Sequence, residues 1–156
     1  MDKKNNTSYY GYKNHIKIDS GTKFIENYIV TDASVHDSQV VDDILTDSDA
    51  GQPLWADCAY IGEEAETIYK KKKVIVMVHE KGRRNKPLTK NQKISNKQKS
   101  IIRARVEHIF GFIENSMKKS FIRTIGIVRA ETKVGLMNLT YNLCRCAQLN
   151  IAVTAG

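Results

Sequence analysis

The stretch "QPLWADCAYIGEEAETIYKKKKVIVMVH", Gln52 to His79, decides the fold class. Its first part, "QPLWAD", is a short apolar run introduced by Pro53 and closed by Asp57, which suits a buried strand. "GEEAETIYKKKK" opens with acids and ends with lysines. Those charges complement a helix dipole at both ends and predict a helix over Glu63 to Lys71. "KVIVMVH" is a continuous β-branched run of the kind found in strands covered on both faces. Strand, helix, strand predicts a parallel pair joined by a right-handed crossover.

Upstream, "SYYGYKNHIKID" (Ser8 to Asp19), "SGT" and "KFIENYIVTDA" (Lys23 to Ala33) read as strand, turn, strand, an antiparallel hairpin. "SVHDSQVVDDILTD" sets Val35, Val40, Val41, Ile44 and Leu45 near helical spacing, with Asp37 and Ser38 as early capping residues. Downstream, residues 80–96 are polar, glycine-containing and basic, and read as a loop. A long helix follows over about Lys97 to Lys119, with Ile102, Val106, Ile109, Phe110, Ile113 and Met117 as its apolar stripe. Arg103, Glu107 and Glu114 share the neighbouring face, about 100° around. A last helix runs from Ala130 to about Ala152. The expected architecture is one α/β domain over residues 1–156, a mixed sheet with flanking helices.

Charge is unevenly spread. The formal net charge is +8, yet Lys70 to Arg105 holds fourteen Lys and Arg against one acid, Glu80, a local excess of +13. The rest of the chain has eleven basic and sixteen acidic residues and is net −5. Such a block is the footprint of a polyanion partner, most simply nucleic acid, with Arg83, Arg84 and Lys86 among the expected backbone contacts. Its bland alternative is a solvated lysine-rich loop. No apolar run approaches the ~18 residues that span a bilayer. The N-terminus lacks an apolar signal-peptide core, and Cys58, Cys144 and Cys146 form no C-x-x-C pair. These features lead to the expectation of a cytoplasmic protein without a membrane partner, a disulfide framework or a zinc site.

Asp57 ends a strand of an α/β sheet, the edge where such sheets place ligands, and Glu107 lies on a helix able to pack across that sheet. Two carboxylates beside a basic segment suit Mg²⁺ (or Mn²⁺) acting on a phosphate backbone, because hard divalent cations choose oxygen ligands. The plainer alternatives are a turn or cap role for Asp57, and for Glu107 an i, i+4 pair with Arg103 worth ~0.2–0.5 kcal/mol. His79-Glu80 lacks the second histidine of a zinc-protease motif, and no glycine-rich phosphate loop or Ser-His-Asp order is present.

Six motifs then converge: "GYKNHI" (Gly11 to Ile16), "VTDASVHDS" (Val30 to Ser38), "ADCAY" (Ala56 to Tyr60), "RARVEHIFG" (Arg103 to Gly111), "GIVRA" (Gly126 to Ala130) and "NLTYNLCR" (Asn138 to Arg145). In order and spacing the chain resembles the C-terminal part of the DDE transposases of bacterial insertion sequences, of the insertion-sequence-five and -four types. The resemblance implies a ribonuclease H-like domain in which three carboxylates hold two metal ions for DNA strand cleavage and strand transfer. On its terms Asp57 is the second carboxylate and Glu107 the third, both metal ligands, and Arg103 reaches a DNA phosphate as a forked donor. Tyr60 is expected to pack. Lys118, one turn further along the helix, is expected to stand in for a family lysine seven residues after the Glu, where this chain has Glu114. The family tyrosine seven residues before the Glu is Ser100 here.

The first family aspartate lies on a strand before "GYK", and only ten residues precede Gly11. That implies a chain lacking the central strand and the first ligand, catalytically impaired by itself. Its sheet is then expected to show either a gap or residues 3–9 recruited as a substitute. Three functional readings stay open. One is an impaired transposase, in a homodimer or nucleoid-associated on DNA; another is half of a split transposase completed by an upstream half. The third is a non-catalytic DNA-binding protein that inhibits full-length transposase.

Overall fold

The computed structural model describes residues 2–4, 7–9, 11–60, 62–80, 87–117, 122 and 124–154, with backbone alone for 2–4, 7–9, 58 and 151–154. The chain divides into two compact units, residues 1–35 with 106–156, and residues 36–105.

In the first unit, β1 (Asp2–Lys4) pairs antiparallel with β2 (Thr7–Tyr9), and β3 (Tyr12–Ile18) with β4 (Ile25–Asp32). The β3–β4 turn closes because the Asp19 carboxylate accepts from the Thr22 backbone N–H at 2.6 Å and from its hydroxyl at 2.5 Å. The final helix packs on this hairpin, and Ile25 is buried with Ile109, Ile113 and Tyr141. Phe112 meets Tyr141 edge-on, ring centroids 5.5 Å apart. Val30, Ala130 and Val134 form a second buried cluster.

In the second unit, the expected parallel pair is present. β5 (Pro53–Leu54) and β6 (Ile75–Val76) pair in parallel, flanked by Gly51 N–H to Lys73 C=O at 3.0 Å and Met77 N–H to Leu54 C=O at 2.8 Å. Between them α2 runs Glu63–Lys71, the predicted span. Its end is a Schellman motif: Val74 N–H bonds Tyr69 C=O and Lys73 N–H bonds Lys70 C=O, with Lys73 in the left-handed region at φ 53°. The helix predicted after Val35 is shorter than its periodicity suggests, a 3₁₀ turn over Asp37–Val40 and then α1 over Val41–Ile44. Its expected apolar residues Val40, Val41, Ile44 and Leu45 are nonetheless buried. His36, not Asp37 or Ser38, caps it, accepting from Ser38 N–H through Nδ1. Lys72 closes the other end on the carbonyls of Asp42 and Leu45 and on the Asp42 carboxylate at 3.1 Å.

Three expectations need correction. Among the described residues the strands form three separate two-stranded sheets, not one mixed sheet. Of the two alternatives expected for the missing central strand, the gap is the one seen, since no described strand pairs with both β3–β4 and β5–β6, and β1 and β2 pair with each other. The Lys73 to His79 run is not covered on both faces: Ile75 is 53% exposed and its neighbours alternate, as befits a strand with one partner and one covered face. Finally, α3 runs Lys90–Ser116, so residues 90–96 of the expected loop are helical. A capping box explains the early start, with Thr89 Oγ1 accepting from Gln92 N–H at 3.3 Å and Gln92 Oε1 accepting from Thr89 N–H at 2.9 Å. The last helix, α4, spans Ile127–Thr154. No helix among the described residues is long and apolar enough to cross a membrane.

Candidate active site

Four polar side chains of α3 fasten its first half to the segment that follows β6. Asn96 matches both backbone groups of Glu80: its Oδ1 accepts from the N–H at 2.9 Å and its Nδ2 donates to the carbonyl at 2.9 Å. Lys99 donates to Val78 C=O at 2.7 Å and lies 4.0 Å from the Glu80 carboxylate. Ser100 Oγ bonds His79 Nε2 at 2.8 Å. Arg103 then forks: Nη1 donates to His79 Nδ1 at 3.4 Å and Nη2 donates to Asp57 Oδ2 at 3.1 Å. Residues 96, 99, 100 and 103 recur at the spacing of one helical face, which is why one straight helix satisfies all of them.

The fork joins two residues that sequence motifs single out separately, 46 positions apart. Asp57 sits just beyond β5, at the carboxyl end of the parallel pair, the position at which α/β sheets present ligands. Its side chain is 48% exposed, so it keeps oxygen surface for a further partner. The chain then turns: Tyr60 N–H bonds Asp57 C=O at 3.0 Å, and Tyr69 Oη donates to Tyr60 C=O at 2.9 Å. Burial, with the carboxylates of Asp37 and Asp57 adding to it, pushes the Tyr60 phenol up to about 12. Burial likewise raises Tyr69 to about 12. Both phenols therefore stay neutral at ordinary pH, and Tyr60 packs beside Asp57, as expected.

Glu107 lies one helical turn after Arg103 on α3 and is exposed. The i, i+4 pair that this spacing allows is not among the bonds of Arg103, whose two acceptors are Asp57 and His79. Among the described residues no group of three or more His, Cys, Asp and Glu could hold a metal ion. Arg83, Arg84, Lys86 and Lys118 lie outside the described residues. Within the basic segment Lys90, Lys93 and Lys97 are exposed on the first turns of α3. Reading residues 80–96 as a loop hid this stripe. The signal that could have revealed it is T-x-x-Q at Thr89 to Gln92.

Several motif residues prove architectural. "NLTYNLCR" lies on α4 and grips the hairpin: Asn138 exchanges amide bonds with Asn14 at 3.0 and 3.3 Å, and Asn142 brackets Ile25 by accepting from its N–H and donating to its carbonyl, both at 2.9 Å. Tyr141 donates to Lys23 C=O at 3.1 Å and Arg145 to Thr22 C=O at 2.7 Å. From "GYKNHI", Tyr12 Oη accepts from Gly126 N–H at 2.9 Å, and buried His15 bonds Thr31 at 3.0 Å.

A strand-end carboxylate is thus paired with an arginine from a helix whose first turns carry exposed lysines. The chain belongs to the transposase family: residues 2–143 match the Transposase DDE domain. It is similar to the transposase for insertion sequence element IS1106 of Neisseria meningitidis serogroup B, with 26% identity over 145 residues, which is 93% of this chain and 50% of that protein. The chain thus spans about half the length of that relative. No solved structure matches.

Proposed function

We propose that this chain is catalytic-domain sequence of a DNA transposase, a single ribonuclease H-like domain in which Asp57 and Glu107 are two of the three carboxylate ligands of Mg²⁺ or Mn²⁺. The observation that carries the reading is the Asp57–Arg103 pair, since it brings the carboxylate of "ADCAY" onto the first residue of "RARVEHIFG" within the second unit. The donor chemistry fits a hard divalent cation. Asp57 offers an exposed carboxylate that already holds a positive group, and Glu107 offers a second exposed carboxylate one turn beyond that group on the same helix. When bound, such ions activate a water or a DNA 3′-hydroxyl and stabilise the departing oxygen.

The chain's own residues do the rest. Arg103 presents two N–H donors suited to a phosphate, and Lys90, Lys93 and Lys97, with Arg83, Arg84, Lys86 and Lys118, hold the DNA backbone. The third carboxylate is assigned to no residue here. Strand cleavage calls for that carboxylate from outside residues 1–156, whether from an upstream segment or a partner copy, in a cytoplasmic, nucleoid-associated complex.

The test is Mn²⁺ binding followed by electron paramagnetic resonance. Asp57→Asn and Glu107→Gln are each expected to weaken binding at least tenfold, while DNA retention in EDTA stays unchanged. Manganese affinity indifferent to both substitutions would overturn the assignment. A second reading, a DNA-binding inhibitor of full-length transposase, is favoured by the exposed lysine stripe on α3. It calls for steeply salt-dependent, Mg²⁺-independent binding whose salt slope falls by about three when all three stripe lysines become Gln.

A further inference from the structure

We propose that Arg103 is the resident counter-ion of Asp57, a latch that a metal ion must displace, and that His79 and Ser100 are positioning residues that hold the latch ready for phosphate. The inference rests on the reading of Asp57 as a metal ligand. The guanidinium occupies Asp57 Oδ2 at 3.1 Å, so a cation approaching that oxygen meets both a like charge and a hydrogen bond to be broken. Arg103 is held from two sides. His79 Nδ1 accepts its other arm, and Ser100 Oγ bonds His79 Nε2, which fixes the imidazole with Nδ1 as acceptor and Nε2 as donor. Lys99 on the same helical face is engaged with Val78 and Glu80, whereas Arg103 reaches Asp57.

A half-exposed pair of this kind is weak enough to be exchanged. Were a cation to take Asp57 Oδ2, the Nη2 arm of Arg103 would be released while the Nη1 arm stayed on His79, leaving a donor beside the same carboxylate for a DNA phosphate. Metal and phosphate then favour one another, and by reciprocity each raises the affinity for the other.

The experiment is Tb³⁺ luminescence titration, with Mg²⁺ competition, on the whole chain. Arg103→Gln is expected to tighten metal binding about fivefold, the size of effect appropriate to removing one like charge near the surface. Asp57→Asn is expected to lose the binding. If Asp57→Asn binds like the wild type, the ligand assignment fails and the latch with it. If Asp57→Asn loses binding but Arg103→Gln binds no more tightly than wild type, the latch alone fails. A second measurement avoids any folding defect of the variants. In wild-type protein Mg²⁺ should shift the Arg103 side-chain Nε–H resonance, identified by its loss in Arg103→Lys, and an unmoved resonance at saturating Mg²⁺ would also overturn the latch. His79→Phe should leave metal affinity within about twofold of wild type but abolish the gain in phosphate-analogue affinity that Mg²⁺ brings, whereas a purely structural role would move neither selectively.

Discussion

Two helices in this molecule are fastened by ladders of polar side chains, and the ladders differ in what stands behind them. On α4, Asn138, Tyr141, Asn142 and Arg145 grip the hairpin while Val134 and Ala130 bury beside Val30, and Tyr141 beside Ile25 and Ile109. On α3, Asn96, Lys99, Ser100 and Arg103 grip the segment after β6, and neighbouring positions of that helix such as Ile94 and Ile101 are 59% exposed. A polar ladder over a dry core is architecture, because breaking it strands buried groups. A polar ladder open to water can exchange partners at little cost. The lesson is that the second ladder is where binding chemistry fits.

The largest effect is expected in the first region. Ile109 is fully buried, so Ile109→Ala should cost about 3 kcal/mol in denaturant unfolding. Asn142→Leu would leave the Ile25 N–H and carbonyl without their partner and should cost about 2 kcal/mol. A cost near zero would erase the distinction between the ladders.

In the second region, Tyr60 and Tyr69 sharpen the picture through pH. Their folded-state pKa values, about 12, lie above the ordinary 10.0, so the unfolded chain releases these protons first. The stability tied to their burial is therefore complete below about pH 10 and lost as pH rises toward 12. Tyrosinate absorbance should show at least these two phenols titrating late, with Tyr141 also raised by burial, and every phenol titrating near 10 would contradict that burial. Asn96→Ala should cost about 1 kcal/mol or less, since water replaces both bonds to Glu80. Lys73→Gly should be the smallest change, a gain of about 0.5 kcal/mol from relieving a left-handed lysine, measured by thermal unfolding.

What was legible in the sequence follows the range of the forces involved. The bounds of α2 and the parallel direction of β5 and β6 come from local charge and apolar runs, and the structure reproduces them. The buried residues of α1 were legible although its length was not, because periodicity reports a face and not a hydrogen-bond pattern. The α3 start was written in Thr89 and Gln92 but obscured by the lysines around it. The α4 ladder was not legible. Asparagines inside a helix read as weak formers, and the hairpin groups they bind lie more than a hundred residues away. Of the proposed site, Asp57, Arg103 and Glu107 could be named from motifs. That Arg103 reaches Asp57 and His79 is a tertiary fact with no local signature.

Iron-directed cleavage puts the central assignment to its most immediate trial. Fe²⁺ substituted for Mg²⁺, with ascorbate and peroxide, cuts backbone near the bound ion, and mass spectrometry maps the cuts. Breaks flanking both Asp57 and Glu107, suppressed by excess Mg²⁺ and absent in Asp57→Asn, are the expected result. Cuts at neither position, or cuts that persist in Asp57→Asn, would contradict it.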